Sequence, residues 1–140
     1  MQKHNYFGFE VEIDENATRE WYSKSETWDC ECGPCRNFMA LEKRKQLPAP
    51  VLEILDTLGI PPEKATYVCQ LNADDSGHLY QFSYRIAGVI LNKKTDEEIR
   101  QSWGIGCFCH EFNPYGAPDF PEPHFDLEFV LTLPWVLEEI

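Results

Sequence analysis

Thr66-Tyr67-Val68-Cys69-Gln70-Leu71-Asn72-Ala73-Asp74-Asp75-Ser76-Gly77-His78-Leu79-Tyr80-Gln81-Phe82-Ser83-Tyr84-Arg85-Ile86 reads as a β-hairpin. Thr66 to Leu71 is rich in β-formers. Asn72 to Gly77 gathers the short polar residues and glycine that make turns. Tyr80, Phe82, Tyr84 and Ile86 then alternate with Gln81, Ser83 and Arg85, the period of a strand with one buried face. Gly88 marks a bend before Val89-Ile90-Leu91. Downstream, Trp103, Ile105, Cys107 and Cys109 alternate with Gly104, Gly106, Phe108 and His110, which predicts another strand. Phe125, Leu127, Phe129, Leu131 and Leu133 predict the last, ended by Pro134. Pro114 to Pro123 is an irregular connection between them. Asn92 to Gln101 is polar, a loop or one helical turn.

Upstream of the hairpin the period changes. Pro34 suits the first turn of a helix, where its missing N–H is not needed, and the helix runs through Phe38, Met39 and Leu41 to the cations Lys43-Arg44-Lys45. Pro50 opens a second helix with Val51, Leu52, Ile54, Leu55 and Leu58 on one face, closed by Gly59 and Pro61-Pro62. Near the start, Phe7, Phe9, Val11 and Ile13 alternate with Gly8, Glu10, Glu12 and Asp14, a strand, and Asn16 is placed to cap a short helix through Trp21 and Tyr22. One strand, then helices, then a run of antiparallel strands predicts an α+β fold. The expectation is one domain over residues 1–140, with about five strands and two or three N-terminal-half helices packed on one face. The first and last strands are expected to be neighbours. Glu10 and Glu12 would then meet Asp126 and Glu128, so the pairing must be staggered or interrupted by a third strand carrying Arg85 or another cation. The carboxylates themselves read as a solvated sheet face.

The chain has 140 residues, 43% hydrophobic and 14% aromatic, with a formal net charge of −12. It is long enough to bury a core. Its acidity argues against nucleic acid and against an anionic membrane, both of which need a basic surface, and suits a protein partner better. Met1 to Gly8 lacks the apolar core of a signal peptide, and no stretch approaches a membrane span, which predicts a cytoplasmic protein with reduced thiols.

Chemistry concentrates in Trp28-Asp29-Cys30-Glu31-Cys32-Gly33-Pro34-Cys35-Arg36-Asn37-Phe38, which holds three of the six cysteines. Cys32-x-x-Cys35 has the spacing of half a zinc knuckle, and Cys30 offers a third ligand. Cys107-x-Cys109-His110 would supply the second half from a distant strand, or its cysteines are plain core, since Cys107 and Cys109 share one face of that strand while His110 points away. Cys32-Gly33-Pro34-Cys35 is also letter for letter the thioredoxin active-site tetrapeptide, followed by a helix whose N-terminus lowers a thiol pKa. A thioredoxin, however, has a strand leading into the motif and parallel crossovers around it. No Ser–His–Asp signature, phosphate-binding glycine loop or dinucleotide fingerprint is present.

Trp28-x-Cys30-x-Cys32-x-x-Cys35-Arg36-Asn37-Phe38 and the ending Leu133-Pro134-Trp135-Val136-Leu137-Glu138-Glu139 together resemble a group of small uncharacterised bacterial proteins. The resemblance covers nearly the whole chain and implies a cytoplasmic bacterial protein, without catalytic residues to carry over. The residues predict a non-enzymatic binding or interaction domain holding zinc through Cys30, Cys32, Cys35, Cys107 and Cys109. The alternative is a dithiol–disulfide redox protein using Cys32 and Cys35.

Overall fold

Phe7 and Gly8 divide the first apolar run in two. Both have positive φ (55° and 91°), the backbone of a tight two-residue hairpin turn. They join β1 (Gln2–Tyr6) to β2 (Phe9–Ile13), with Tyr6 opposite Phe9 and Gln2 opposite Ile13. Phe7 is therefore an exposed turn residue, 44% accessible, rather than part of a strand's apolar face. The computed structural model describes residues 1–92, 94–102, 106–111, 117 and 119–137.

The remaining elements follow the predicted α+β order. They are α1 (Glu15–Lys24), α2 (Gly33–Lys43), α3 (Ala49–Leu58), a 3-10 turn (Pro62–Lys64), β3 (Tyr67–Asp74), β4 (Gly77–Ile90), α4 (Asp96–Ser102), β5 (Cys107–His110) and β6 (His124–Leu133). The predicted strand from Trp103 begins, among described residues, at Cys107; Trp103 to Ile105 lie outside them. So do residues 114–116 and 118 of the Pro114–Pro123 connection. Asp14, not Asn16, caps α1, its Oδ1 accepting from Ala17 N at 3.0 Å. Gly59 closes α3 in the left-handed conformation, φ 70°.

All six strands form one antiparallel sheet in the order β1-β2-β4-β6-β5, with β3 also on β4. The first apolar strand and the last are thus not neighbours. β4 runs between them, pairing with β2 at Gly88–Ile90 and with β6 along Gly77's end from His78 to Ala87. That intervening strand carries Arg85, opposite Asp126, so an opposite charge stands where two carboxylate rows would have repelled.

β3 and β2 share the same edge of β4, and neither reaches Arg85 or Ala87 on it. Helix α1 fills the gap. Tyr22 Oη donates to Arg85 O at 2.7 Å, Ala87 N donates to Thr18 Oγ1 at 3.1 Å, and Asp14 N donates to Ala87 O at 2.8 Å. Buried backbone groups must be paired, and here a helix supplies what a strand would have. Gly88 lets β2 come close at this point: a Cβ there would collide with the Glu12 carbonyl oxygen.

One side of the sheet is apolar, with Tyr80, Phe82, Tyr84, Ile86, Phe125, Leu127 and Phe129 all buried. α2 packs on it, Phe38 against Phe82 at 5.0 Å between ring centroids. Tyr80 and Tyr84 donate their hydroxyls to Pro34 O and Pro62 O, at 2.6 and 2.7 Å, pinning α2 and the 3-10 turn. The other side differs from the expected solvated carboxylate face. Glu10 is exposed, but Asp126 and Glu128 are buried. Arg85 holds Asp126 with Nε to Oδ1 at 3.0 Å and Nη2 to Oδ2 at 3.1 Å, and His110 Nε2 lies 2.6 Å from Glu128 Oε1. A carboxylate with a hydrogen-bonding partner survives burial where a lone one would not.

Candidate metal centre

Helix α2 begins at the cysteines because Gly33 and Pro34 occupy its first two positions, leaving Cys32 as N-cap and Cys35 in the first turn. Residues 26–32 before it form no helix or strand, so Cys30 arrives on a free-running loop. The three sulfurs of Cys30, Cys32 and Cys35 all lie within 4.8 Å of one another, and Cys30 Sγ is 3.3 Å from Cys32 Sγ. Four-coordinate zinc with bonds of about 2.3 Å separates its sulfurs by about 3.8 Å. The group is therefore close enough to hold a metal ion, and thiolates are the donors that zinc and other soft ions take.

The three thiols are unequal. Cys30 and Cys32 are exposed and Cys35 is buried. Burial pushes the Cys35 thiol up to about 12; the Trp28 indole N–H works the other way, and the neighbouring Cys32 and Cys30 add to the rise. Cys32 shifts downward. Its slight burial opposes this, but hydrogen bonding from Cys35, through thiol and backbone N–H, and from Cys30 outweighs it. Cys32 is the N-cap of α2, and the N–H groups at a helix start favour its thiolate.

Two supports for the site have no signal of their own in the sequence. Trp28 Nε1 donates to Cys35 Sγ at 3.2 Å, while its backbone N donates to Glu63 O at 2.9 Å and its ring meets Tyr67 edge-on. Asn37, fully buried, ties α2 to the chain's ending. Its Nδ2 donates to Pro134 O at 3.0 Å and to Tyr80 Oη at 3.3 Å, and its Oδ1 accepts from Val136 N at 2.8 Å. Trp135 lies against Gly33 and tilts over His78. The cysteine motif and the Leu-Pro-Trp-Val ending, about a hundred residues apart in sequence, are one packed unit. Glu138 and Glu139 lie outside the described residues.

Cys107 and Cys109 stand apart from this group. They sit on the inner face of β5, opposite Phe129 and Leu127, 2% and 1% exposed. Burial pushes Cys107 up to about 12 and Cys109 up as well. Both are buried core thiols, and among the described residues the group close enough to hold an ion is Cys30, Cys32 and Cys35. His110, next along β5, faces the opposite side of the strand and pairs with Glu128. His124 packs on Phe120, and Cys69 lies on β3.

No helix among the described residues is long and apolar enough to cross a membrane. Comparison with known protein families, curated proteins and solved structures found no match to this chain.

Proposed function

We propose that this protein is a small binding domain that holds zinc through Cys30, Cys32 and Cys35. The observation that carries the reading is the convergence of three sulfurs from a loop and a helix start. Bound zinc would displace the thiol protons, cancel the repulsion between adjacent thiolates, and tie the loop at 26–32 to α2. Trp28 would donate to a sulfur that keeps much of its negative charge. Protein purified without chelator should carry close to one zinc per chain, and chelation should lower its melting temperature. Metal-free protein whose stability is indifferent to added zinc would overturn the reading.

A second reading is favoured by the opposed thiols of Cys32 and Cys35. A dithiol oxidoreductase works with an exposed, acidified attacking cysteine and a buried, proton-retaining partner. Cys32 thiolate would attack a substrate disulfide, releasing one substrate thiolate and forming a mixed disulfide. Cys35, once deprotonated, would then displace the second thiolate, leaving a Cys32–Cys35 disulfide and a fully reduced substrate. Against it, a loop rather than a strand leads into the motif, and the sheet is antiparallel. Iodoacetamide labelling of Cys32 against pH separates the two readings. A rate that titrates only near the free-thiol range, without disulfide reductase activity, removes the redox one.

A further inference from the structure

Cys32 and Cys35 are fixed by the start of α2, at its N-cap and in its first turn. Cys30 comes from the loop at 26–32, which Trp28 pins two residues upstream through its backbone N–H to Glu63 O and its ring against Tyr67. Three sulfurs therefore face one another, all within 4.8 Å. Cys30 Sγ and Cys32 Sγ are 3.3 Å apart, closer than the separation of about 3.8 Å that tetrahedral zinc imposes. An ion that carries a lone pair presses its three bonds into a pyramid and holds its sulfurs closer than a tetrahedral ion does. Trivalent arsenic is such an ion, and it is soft enough to prefer thiolates.

Donor number and charge agree with this. Three As–S bonds and the lone pair complete the coordination of arsenic, so the centre is whole whichever way the Asp29 and Glu31 carboxylates of the adjoining cleft turn. Zinc with three thiolates carries a net negative charge beside a Cys35 sulfur that is 3% exposed, and burying charge is costly. The arsenic trithiolate is neutral. So is arsenous acid at neutral pH, and the chain's net charge of −12 does not repel it. Entry is open. Cys30 and Cys32 are exposed, and a cleft of about 500 Å³ reaches Cys30, with Trp28 and Met39 among its walls.

Beyond the zinc reading and independent of it, we infer that Cys30, Cys32 and Cys35 form a capture site for trivalent arsenic, taken up as arsenous acid. The reaction is a condensation. Each thiol gives its proton to one arsenic-bound hydroxyl; one S–H and one As–O bond break, one As–S bond forms, and one water leaves. Three such steps release three waters. Arsenic stays trivalent throughout, and no electron is transferred. The exposed Cys30 and Cys32 bond first and bring the arsenic to the buried Cys35.

The test uses the full chain, reduced and freed of metal, so that zinc content and zinc-dependent stability are read separately and bear on the zinc reading alone. With arsenite, native mass spectrometry should show the wild-type chain gaining one arsenic and losing three protons, the count for three As–S bonds. Cys30→Ser should weaken arsenite binding at least about tenfold, because the third bond is intramolecular once two have formed. Cys69→Ser should leave it unchanged. Phenylarsine oxide, whose arsenic carries one carbon and bonds two sulfurs only, should bind Cys30→Ser as it binds the wild-type chain, through Cys32 and Cys35. That equality also shows the variant's fold intact. A wild-type adduct short of two protons would overturn the proposal. So would equal arsenite affinity in Cys30→Ser and the wild type, or an equal loss of both reagents in Cys30→Ser. Undiminished arsenite binding in Cys30→Ser/Cys32→Ser would place the arsenic elsewhere and overturn it as well.

Discussion

Trp28 bears directly on the chemistry of the cysteines. Its indole N–H, 3.2 Å from Cys35 Sγ, opposes the burial that pushes that thiol up. Trp28→Phe keeps a ring against Tyr67 and removes only the donor. Zinc competes with protons for thiolate, so the pH of half-release should rise in this variant. A hydrogen bond to a charged acceptor is worth about 1.5–3 kcal/mol, and because three thiols protonate together as zinc leaves, the shift in the midpoint is about half a pH unit. A zinc-retention profile against pH, with an unchanged melting temperature for the metal-free protein, checks it. Arg85 and Asp126 form the other residue-scale commitment, 4% and 1% exposed. Arg85→Met leaves a carboxylate buried and unpaired and should cost about 3–5 kcal/mol, most of it recovered by also changing Asp126→Met. Burial raises the Asp126 carboxyl above its ordinary value, although Arg85 pulls it down. The folded protein therefore holds that proton more tightly than the unfolded chain. This group's contribution to stability is greatest below its ordinary value of about 4 and falls as pH rises through the raised one. Denaturation midpoints of the wild type and the double variant across that window should show the flatter pH dependence in the double variant.

At the scale of elements, α1 acts as a surrogate strand. Its amphipathic pattern accounts for Thr18 and Tyr22 facing inward, but their particular work is to satisfy Ala87 N and Arg85 O on the edge of β4 that β2 and β3 leave open there. Thr18→Val and Tyr22→Phe preserve shape and remove the partner of a buried backbone group. Each should destabilise the fold by about 1–3 kcal/mol. Amide exchange should quicken at Ala87 in Thr18→Val ahead of the rest of β4. Uniform loss of stability with no local change at Ala87 would show that the helix contributes packing alone.

For the molecule as a whole, the buried apolar residues form one core cluster, and in the strand order β2 and β6 are joined through β4. Phe9 and Leu127, from those two strands, are 1% and 0% exposed. Phe9→Ala and Leu127→Ala should each cost about 2–5 kcal/mol in chemical denaturation, since each leaves a cavity that rigid neighbouring strands fill poorly. A small effect at Phe9 would mean that the β1–β2 hairpin is peripheral to the core.

The amino-acid sequence by itself determined the elements whose signals are local. Richness in β-formers marked β3, and alternation marked β4 and β6; proline and glycine bounded α2 and α3; three cysteines in six residues marked the site. Such signals survive because periodicity and backbone stereochemistry act over a few residues. Where the chain meets itself was decided by tertiary structure alone. The Phe7–Gly8 turn was hidden inside an alternation that a continuous strand fits equally well. Charge reasoning on the sequence placed Arg85 among the candidates to stand between the carboxylate rows, but the alternation that marked Asp126 and Glu128 as polar gave no sign that both would be buried, one on Arg85 and the other on His110. Cys107 and Cys109 offered ligand chemistry by composition, and the sheet instead buries them opposite Phe129 and Leu127. Trp28 over Cys35, and Asn37 holding the ending against α2, join residues from separate stretches of chain. Such pairings follow from which surfaces exclude water together, which depends on the packing of the whole sheet and not on any one stretch of chain.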